Sequence, residues 1–265
     1  MVSGEQLRPR APRLFLDAPD LGDPAVLQEA SVDETVTIRG ASVHRLGRVL
    51  RLRRGDVIEV IHEPSGLLHR LELLRLTPDL VEARITEART IVEDDTPPLS
   101  LCPAIVRAPR FDTLVEKATE LGVAGIRPVR ATRSLAQSQG RERSARWKRL
   151  ATEASEQCRR ERRPEIADPI DLIQLVEETP AEGVVRLFAS ARERSRRIGQ
   201  VLRADAPPRG VELLIGPEGG FTESEAEAAV AHDWLPVSLG PRALRAETAA
   251  IVATALVQES LRPLG

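Results

Sequence analysis

Two glycine-bearing stretches near the C-terminus hold residue types suited to gripping a small ligand. The first is Leu214-Ile215-Gly216-Pro217-Glu218-Gly219-Gly220-Phe221-Thr222. The second is Leu239-Gly240-Pro241-Arg242-Ala243-Leu244-Arg245-Ala246-Glu247-Thr248-Ala249. Glycine lets the backbone turn tightly and come close to a bound molecule. Glu218 in the first stretch, and Arg242, Arg245, Glu247 and Thr248 in the second, add carboxylates, cations and a hydroxyl. Neither stretch is a dinucleotide fingerprint or a P-loop, since there is no GxGxxG and no Gly-Lys-Ser/Thr.

Both stretches follow runs that read as strands, Val211–Ile215 and Val237–Leu239. In open α/β sheets ligands lie beyond the carboxyl ends of the strands, so two such loops in succession can line one pocket. Thr222 opens a helix, and Glu225 three residues later completes a capping box. Leu99–Val106, Gly125–Ala131 and Val184–Ser190 also read as strands. Asp112–Leu121, Ser144–Arg160, Arg192–Arg203, Glu223–Ala231 and Ala246–Leu261 read as helices. This alternation implies a mostly parallel α/β sheet. The last helix is apolar nearly all round from Ala249 to Val257, so it is buried or faces a partner chain. Earlier in the chain come short β-type runs at Thr35–Ile38, Val57–Ile61, Leu68–Leu74 and Val81–Ile85, with one helical stretch at His44–Leu50. Strands of that size and spacing suggest a small barrel. The charged, proline-ended segment Glu93–Pro98 places the boundary between a domain of residues 1–94 and one of residues 97–265.

The composition, with 42% hydrophobic and 29% charged residues in 265, is that of a globular protein. No apolar run reaches the roughly 18 residues of a membrane span, and the arginine-bearing N-terminus lacks the apolar core of a signal peptide. Cys102 and Cys158 make no disulfide framework, and the four histidines show no ligand spacing, so no metal and a cytoplasmic location are expected. The net charge of -2 argues against a nucleic-acid partner until it is resolved along the chain. Residues 1–96 carry -4, residues 97–163 carry +8 and residues 164–265 carry -6. The cations are 36 arginines and only two lysines, and arginine both stacks on bases and binds phosphate in two-pronged fashion. Arg130, Arg133, Arg141, Arg143 and Arg146 flank the polar stretch Ser134–Gly140 and are candidates to grip the phosphates of a nucleic acid.

The segments Ile215–Gly220 and Leu239–Ala249 closely resemble the paired signature of the ribosomal RNA small-subunit methyltransferase E family, within the SPOUT superfamily. Val115-Glu116-Lys117-Ala118-Thr119-Glu120-Leu121-Gly122-Val123 and Glu156-Gln157-Cys158-Arg159 followed by Pro164-Glu165-Ile166 look like it too. So do His44-Arg45, Val49-Leu50-Arg51 and Gly55-Asp56. The chain departs from the family at Val43, at Arg159-Arg160-Glu161, and at Arg107 or Arg110 where a lysine is usual. The resemblance implies a SPOUT-type α/β domain with a deep C-terminal trefoil knot and an N-terminal PUA-like, OB-like β-barrel that helps bind RNA. It implies a homodimer that uses S-adenosylmethionine to methylate N3 of a uridine in 16S ribosomal RNA, uridine 1498 in the usual numbering of that RNA.

By the same resemblance the cofactor lies among Leu187, Ala189, Ile215, Gly216, Pro217, Gly220, Leu239, Gly240, Leu244, Thr248 and Ala249. Uridine N3 must lose a proton, and the charge then spreads to O2 and O4, where a positioned cation would stabilise it. Arg245 is the first candidate for that cation and Arg242, with phosphate as its other role, the second. Glu218 and Glu247 are the acid candidates, as proton acceptor or as partner to an arginine or to the cationic cofactor. A neighbouring arginine would weaken either one as a base. His44 and Arg45 are candidate RNA contacts, as are the five arginines around Ser134–Gly140. Two other readings stay open. One is a knotted methyltransferase acting on another ribosomal or transfer RNA position, and the other a non-catalytic RNA-binding assembly factor.

Overall fold

The computed structural model describes residues 11–17, 20, 21, 27, 32–92, 95–134, 141–203 and 206–262, with backbone alone at 141 and 142. The chain forms two compact units, Met1–Glu93 with Arg159–Arg162, and Asp94–Cys158 with Arg163–Gly265.

The first unit holds a five-stranded mixed sheet in the order β1-β3-β4-β5-β2. Its strands are β1 (Arg13–Phe15), β2 (Thr35–Ile38), β3 (Val57–His62), β4 (Leu67–Leu76) and β5 (Val81–Thr90). Val81, Ala83 and Ile85 are fully buried while Arg84 between them faces solvent, the two-residue period of a half-buried strand. They pack with Leu14, Ile38, Leu46, Ile58 and Leu71. Val43 and Leu46 reach this core from helix α1 (Ala41–His44) and the π-helical turn Arg45–Val49 that continues it. Arg159 and Arg160 read from the sequence as the end of a helix, and Arg159–Arg162 as part of the second region, yet the segment packs in this unit. The helix stops at Cys158, and Arg159 turns into a left-handed conformation at φ 66°. Its guanidinium donates to Glu59 at 2.6 Å, and Glu161 pairs with Arg89 at 2.5 Å.

The second unit is built on a six-stranded sheet of order β13-β11-β12-β6-β7-β9. These are β6 (Leu99–Pro103), β7 (Gly125–Ile126), β9 (Glu165–Ile166), β11 (Val184–Ala189), β12 (Gly210–Ile215) and β13 (Leu235–Val237). Every pairing is parallel. Sheets of that kind are covered on both faces, which explains the near-continuous apolar runs. Leu187, Leu213 and Ile215 point to one face, with α2 (Ala108–Glu120), α3 (Arg141–Cys158), α5 (Ile198–Leu202) and α7 (Ala246–Leu261). Phe188 and Leu214 point to the other, with α4 (Leu172–Glu177) and α6 (Glu223–Ala231).

Local chemistry sets the boundaries. α2 starts four residues earlier than its apolar spacing suggests, because Pro109 fits a first helical turn. It ends where Gly122 takes φ 90° and the amides of Gly122 and Val123 return to the carbonyls of Thr119 and Ala118. The predicted strand Gly125–Ala131 is interrupted at Arg127-Pro128, leaving β7 and a separate β8 (Val129–Arg130) that pairs with β10 (Ile170–Asp171). The predicted helix Arg192–Arg203 shrinks to α5, because the Glu193 carboxylate captures the amides of Ser195 and Arg196. β13 begins two residues before the predicted strand and ends at Val237. Among the described residues no helix is long and apolar enough to cross a membrane.

Candidate ligand-binding site

The carboxyl ends of β11 and β12, and the chain after β13, open onto a cavity of about 350 Å³. Its walls are Phe188–Arg192, Ile215–Thr222, Ala226, Leu239, Gly240, Arg242–Leu244, Ala246, Ala249 and Arg133. The two glycine stretches thus line one cavity, together with the loop that follows β11.

The first glycine loop is shaped by short-range bonds. The Gly220 amide donates to the Pro217 carbonyl at 2.8 Å, and Gly220 sits at φ 66°. A Cβ on Gly216 would stand 3.2 Å from the Phe221 ring, so the ring would have to shift by a few tenths of an ångström to admit a side chain there. Arg133 donates to the Gly219 carbonyl at 2.7 Å and to that of Phe221 at 3.3 Å. Thr222 then caps α6, accepting the Glu225 amide at 3.2 Å. Glu225 in turn accepts the Thr222 amide and the Thr132 amide, each at 2.7 Å. Burial pushes the Glu225 carboxyl up, but these amide donors outweigh it and leave it below the usual carboxylate value. One buried carboxylate therefore joins the loop before α6 to the segment after β8.

The predicted site residues separate into two groups. Ala189, Ile215, Gly216, Pro217, Gly220, Leu239, Gly240, Leu244 and Ala249 line the cavity, as do Glu218, Arg133 and Arg242. Leu187 is fully buried two positions before the end of β11, on the face toward α2 and α7, and is core rather than lining. Thr248, Arg245 and Glu247 stand beside the lining residues without being among them. Arg245 is the exposed N-cap of α7 and has no carboxylate partner among the described residues. Glu218 is paired with Arg110 at 2.6 Å, and Glu247 lies 3.8 Å from the same guanidinium.

The basic stretch is less concentrated than its sequence suggests. Arg130 pairs with Asp171, the residue before α4, at 2.8 Å. Arg146 of α3 pairs with Asp112 of α2 at 2.7 Å. Arg143 is half-buried on α3, and residues 135–140 and the Arg141 side chain lie outside what is described. His44 is exposed and Arg45 half-buried in the first unit. Ser190, Ala191, Arg192 and Ala226 line the cavity without having been predicted as ligand contacts. The run Val184–Ser190 pointed to the first, as the end of a buried strand, whereas Arg192 was hidden by a helical reading of Arg192–Arg203.

A model of the RNA methyltransferase domain matches residues 93–258. A ribosomal RNA small subunit methyltransferase E from Synechocystis sp. is 34% identical over 89% of this chain and 77% of its own. The chain belongs to the ribosomal RNA small-subunit methyltransferase E family. Its Bacillus subtilis relative of the same name is 28% identical over 87% of this chain and 92% of its own. Among solved structures, the Neisseria gonorrhoeae methyltransferase E bound to S-adenosyl methionine matches with a TM-score of 0.80 and 28% identity, over 94% of this chain and 97% of that one. A Legionella pneumophila protein solved with the same cofactor matches at 0.81 and 28% identity, over 95% of this chain and 98% of that one. The parallel α/β fold is thus that of methyltransferase E structures, and the cavity lies where strands and glycine loops meet.

Proposed function

We propose that this protein transfers the methyl group of S-adenosylmethionine to N3 of a uridine in the 16S ribosomal RNA of the small subunit. The carrying observation is one cavity of about 350 Å³ built from both glycine stretches in a chain of this family. The residues fit the cofactor. Ligand pockets run about 300–1,000 Å³ with mostly apolar walls and a few polar groups. Ala189, Ile215, Leu239, Leu244 and Ala249 supply apolar cover for the adenosine. Gly216, Gly220 and Gly240 bring bare backbone to the cavity, where groups of the two loops not already bonded, such as the Gly220 and Gly240 carbonyls, can read the adenine edge. A Cβ on Gly220 or Gly240 would meet no heavy atom within 4 Å, so their bareness serves backbone shape and approach rather than packing. When bound, the cofactor supplies a methyl group activated on a positive sulfonium.

The chain's own task is to place the uracil and stabilise it. Arg245 follows Leu244, which lines the cavity, and caps the 16-residue helix α7. Its guanidinium and the positive end of that helix stabilise charge on O2 and O4 as N3 loses its proton. Neither candidate carboxylate both lines the cavity and stands without an ion partner, so the proton leaves to solvent. Glu218 instead holds its loop through Arg110. Arg242, Arg192 and Arg133 at the cavity present cations to the RNA backbone. Arg130 joins them by exchanging its exposed Asp171 partner for phosphate, since such surface pairs are worth only about 0–1 kcal/mol, and Arg146 offers phosphate the exposed side of a guanidinium that stays on Asp112. His44 and Arg45 contact the RNA from the first unit.

The knot, the barrel and the dimer belong to the same proposal. Supporting the knot, β13 lies outside β11, the Ser190 amide bonds to Val237, and the Ser238 amide to Arg196. The five-stranded sheet of the first unit supports the PUA-like barrel, within a domain boundary near residues 94–97. Ile251, Val252 and the exposed Leu256 give α7 an apolar outer side for a second copy. The test of the reaction is transfer of labelled methyl from S-adenosylmethionine to isolated small subunits that lack the modification. Label in 16S RNA is expected, and an unlabelled RNA with bound cofactor would leave only an assembly factor.

A further inference from the structure

We propose that Arg110 is a positioning residue that holds the two walls of the cofactor cavity at a fixed separation. This inference rests on the cofactor occupying that cavity. Arg110 lies in the first turn of α2 and is not itself a lining residue. Its Nη1 donates to Glu218 Oε1 at 2.6 Å, and its Nε stands 3.8 Å from Glu247 Oε1. Glu218 sits between Pro217 and Gly219, which form one wall. Glu247 sits in the first turn of α7 between Ala246 and Ala249, which form another. A single guanidinium from a third element thus spans both.

The geometry favours a clasp over an incidental surface pair. The Glu247 side chain is only 15% exposed, and its Oε2 is buried without a hydrogen-bond partner among the described residues. Such a carboxylate needs a nearby cation, because a buried charge without one is costly. Arginine suits the place, since its planar fork presents several N–H groups at once, whereas a lysine is a point charge. The Glu218 loop has few other anchors. The Gly220 turn and Arg133 hold its far end, and Arg110 holds the near one. Without Arg110, the loop and α7 are free to drift apart, and the cofactor must draw them together as it binds.

The test measures S-adenosylmethionine affinity by calorimetry on the full chain for the wild type, Arg110→Ala, Arg110→Lys, Glu218→Gln and the double variant Arg110→Ala/Glu218→Gln. Arg110→Ala and Glu218→Gln should each raise the Kd several-fold, up to about tenfold for a loss of 1.4 kcal/mol. The double variant should be no worse than the worse single one, because both remove the same clasp. Arg110→Lys should fall between. At saturating cofactor, kcat should fall far less than affinity. Without cofactor, amide exchange in residues 216–222 should quicken in Arg110→Ala while the core amides of β11 and β12 stay protected. If the wild type binds no cofactor, the functional reading fails and takes this inference with it. If the wild type binds and the variants keep its Kd, or if the single effects add in full, the inference alone fails. Should Arg110→Ala not fold, Arg110→Lys and Glu218→Gln decide on the same criteria.

Discussion

Replacing Gly220 with alanine probes the shape of the cofactor loop without adding a clash. A Cβ there would meet no heavy atom within 4 Å, so the whole effect comes from the backbone. Gly220 sits at φ 66° and closes the turn to Pro217 through its amide. A Cβ in the left-handed region costs about 1–2 kcal/mol. That cost must surface in one of two places. If the loop keeps its shape, stability falls by about 1–2 kcal/mol, a melting shift of roughly 2–8 °C for a domain of this size. If the loop relaxes to negative φ, stability is spared and the cofactor must restore the turn, which raises its Kd about 5- to 30-fold. Thermal denaturation and calorimetry on one preparation read both. Gly220→Asn should recover much of the loss, since asparagine enters the left-handed region more readily. Wild-type melting together with wild-type Kd in Gly220→Ala would refute the claim that this turn shapes the cofactor cavity.

Four further outcomes follow. Arg245→Ala should lower kcat at saturating cofactor by about 100-fold or more, the scale of losing one charge-stabilising donor, with cofactor Kd little changed; equal losses in both would make Arg245 a cofactor residue. Glu225→Gln should destabilise the fold by about 1–3 kcal/mol in chemical denaturation, because two backbone amides lose their buried charged acceptor. Since folding lowers the Glu225 carboxyl below its ordinary 4.5, its contribution is fully present above pH 4.5 and is lost as pH falls through the lower folded value. The wild-type minus Glu225→Gln stability difference should therefore shrink below pH 4.5, and a difference that grows there would overturn the assignment. Cys102 is fully buried, and burial pushes its thiol well above the usual range, so under native conditions a thiol reagent should modify the half-buried Cys158 first.

The apolar runs were legible because a sheet covered on both faces needs them: Val184–Ser190, Val211–Ile215 and Ala246–Leu261 lie close to their observed bounds. The glycine loops were legible for a similar reason, since tight turns after strands restrict the residue types allowed. What escaped the reading was decided by local competition or by distance along the chain. Arg192–Ser195 has helix-forming side chains, yet Glu193 turns its carboxylate on nearby amides and is held down to a pKa of about 2 by them. Pro128 has no N–H to give a ladder, so the seven residues Gly125–Ala131, read as one strand, become two short ones. Arg110 and Glu218 are 108 residues apart and belong to no common motif. The charge of residues 97–163 sums to +8, but a sum along the chain cannot show that Arg130 and Arg146 are each paired with an acid from another element.

The central claim is the chemical identity of the product. Small ribosomal subunits lacking the modification should be incubated with this protein and S-adenosylmethionine, their 16S RNA digested to nucleosides, and the methylated nucleoside identified by mass spectrometry against standards. The expected product is 3-methyluridine, formed by the wild type and nearly absent with Arg245→Ala. A methyl group on another base, on another atom of uridine or on the ribose would contradict it.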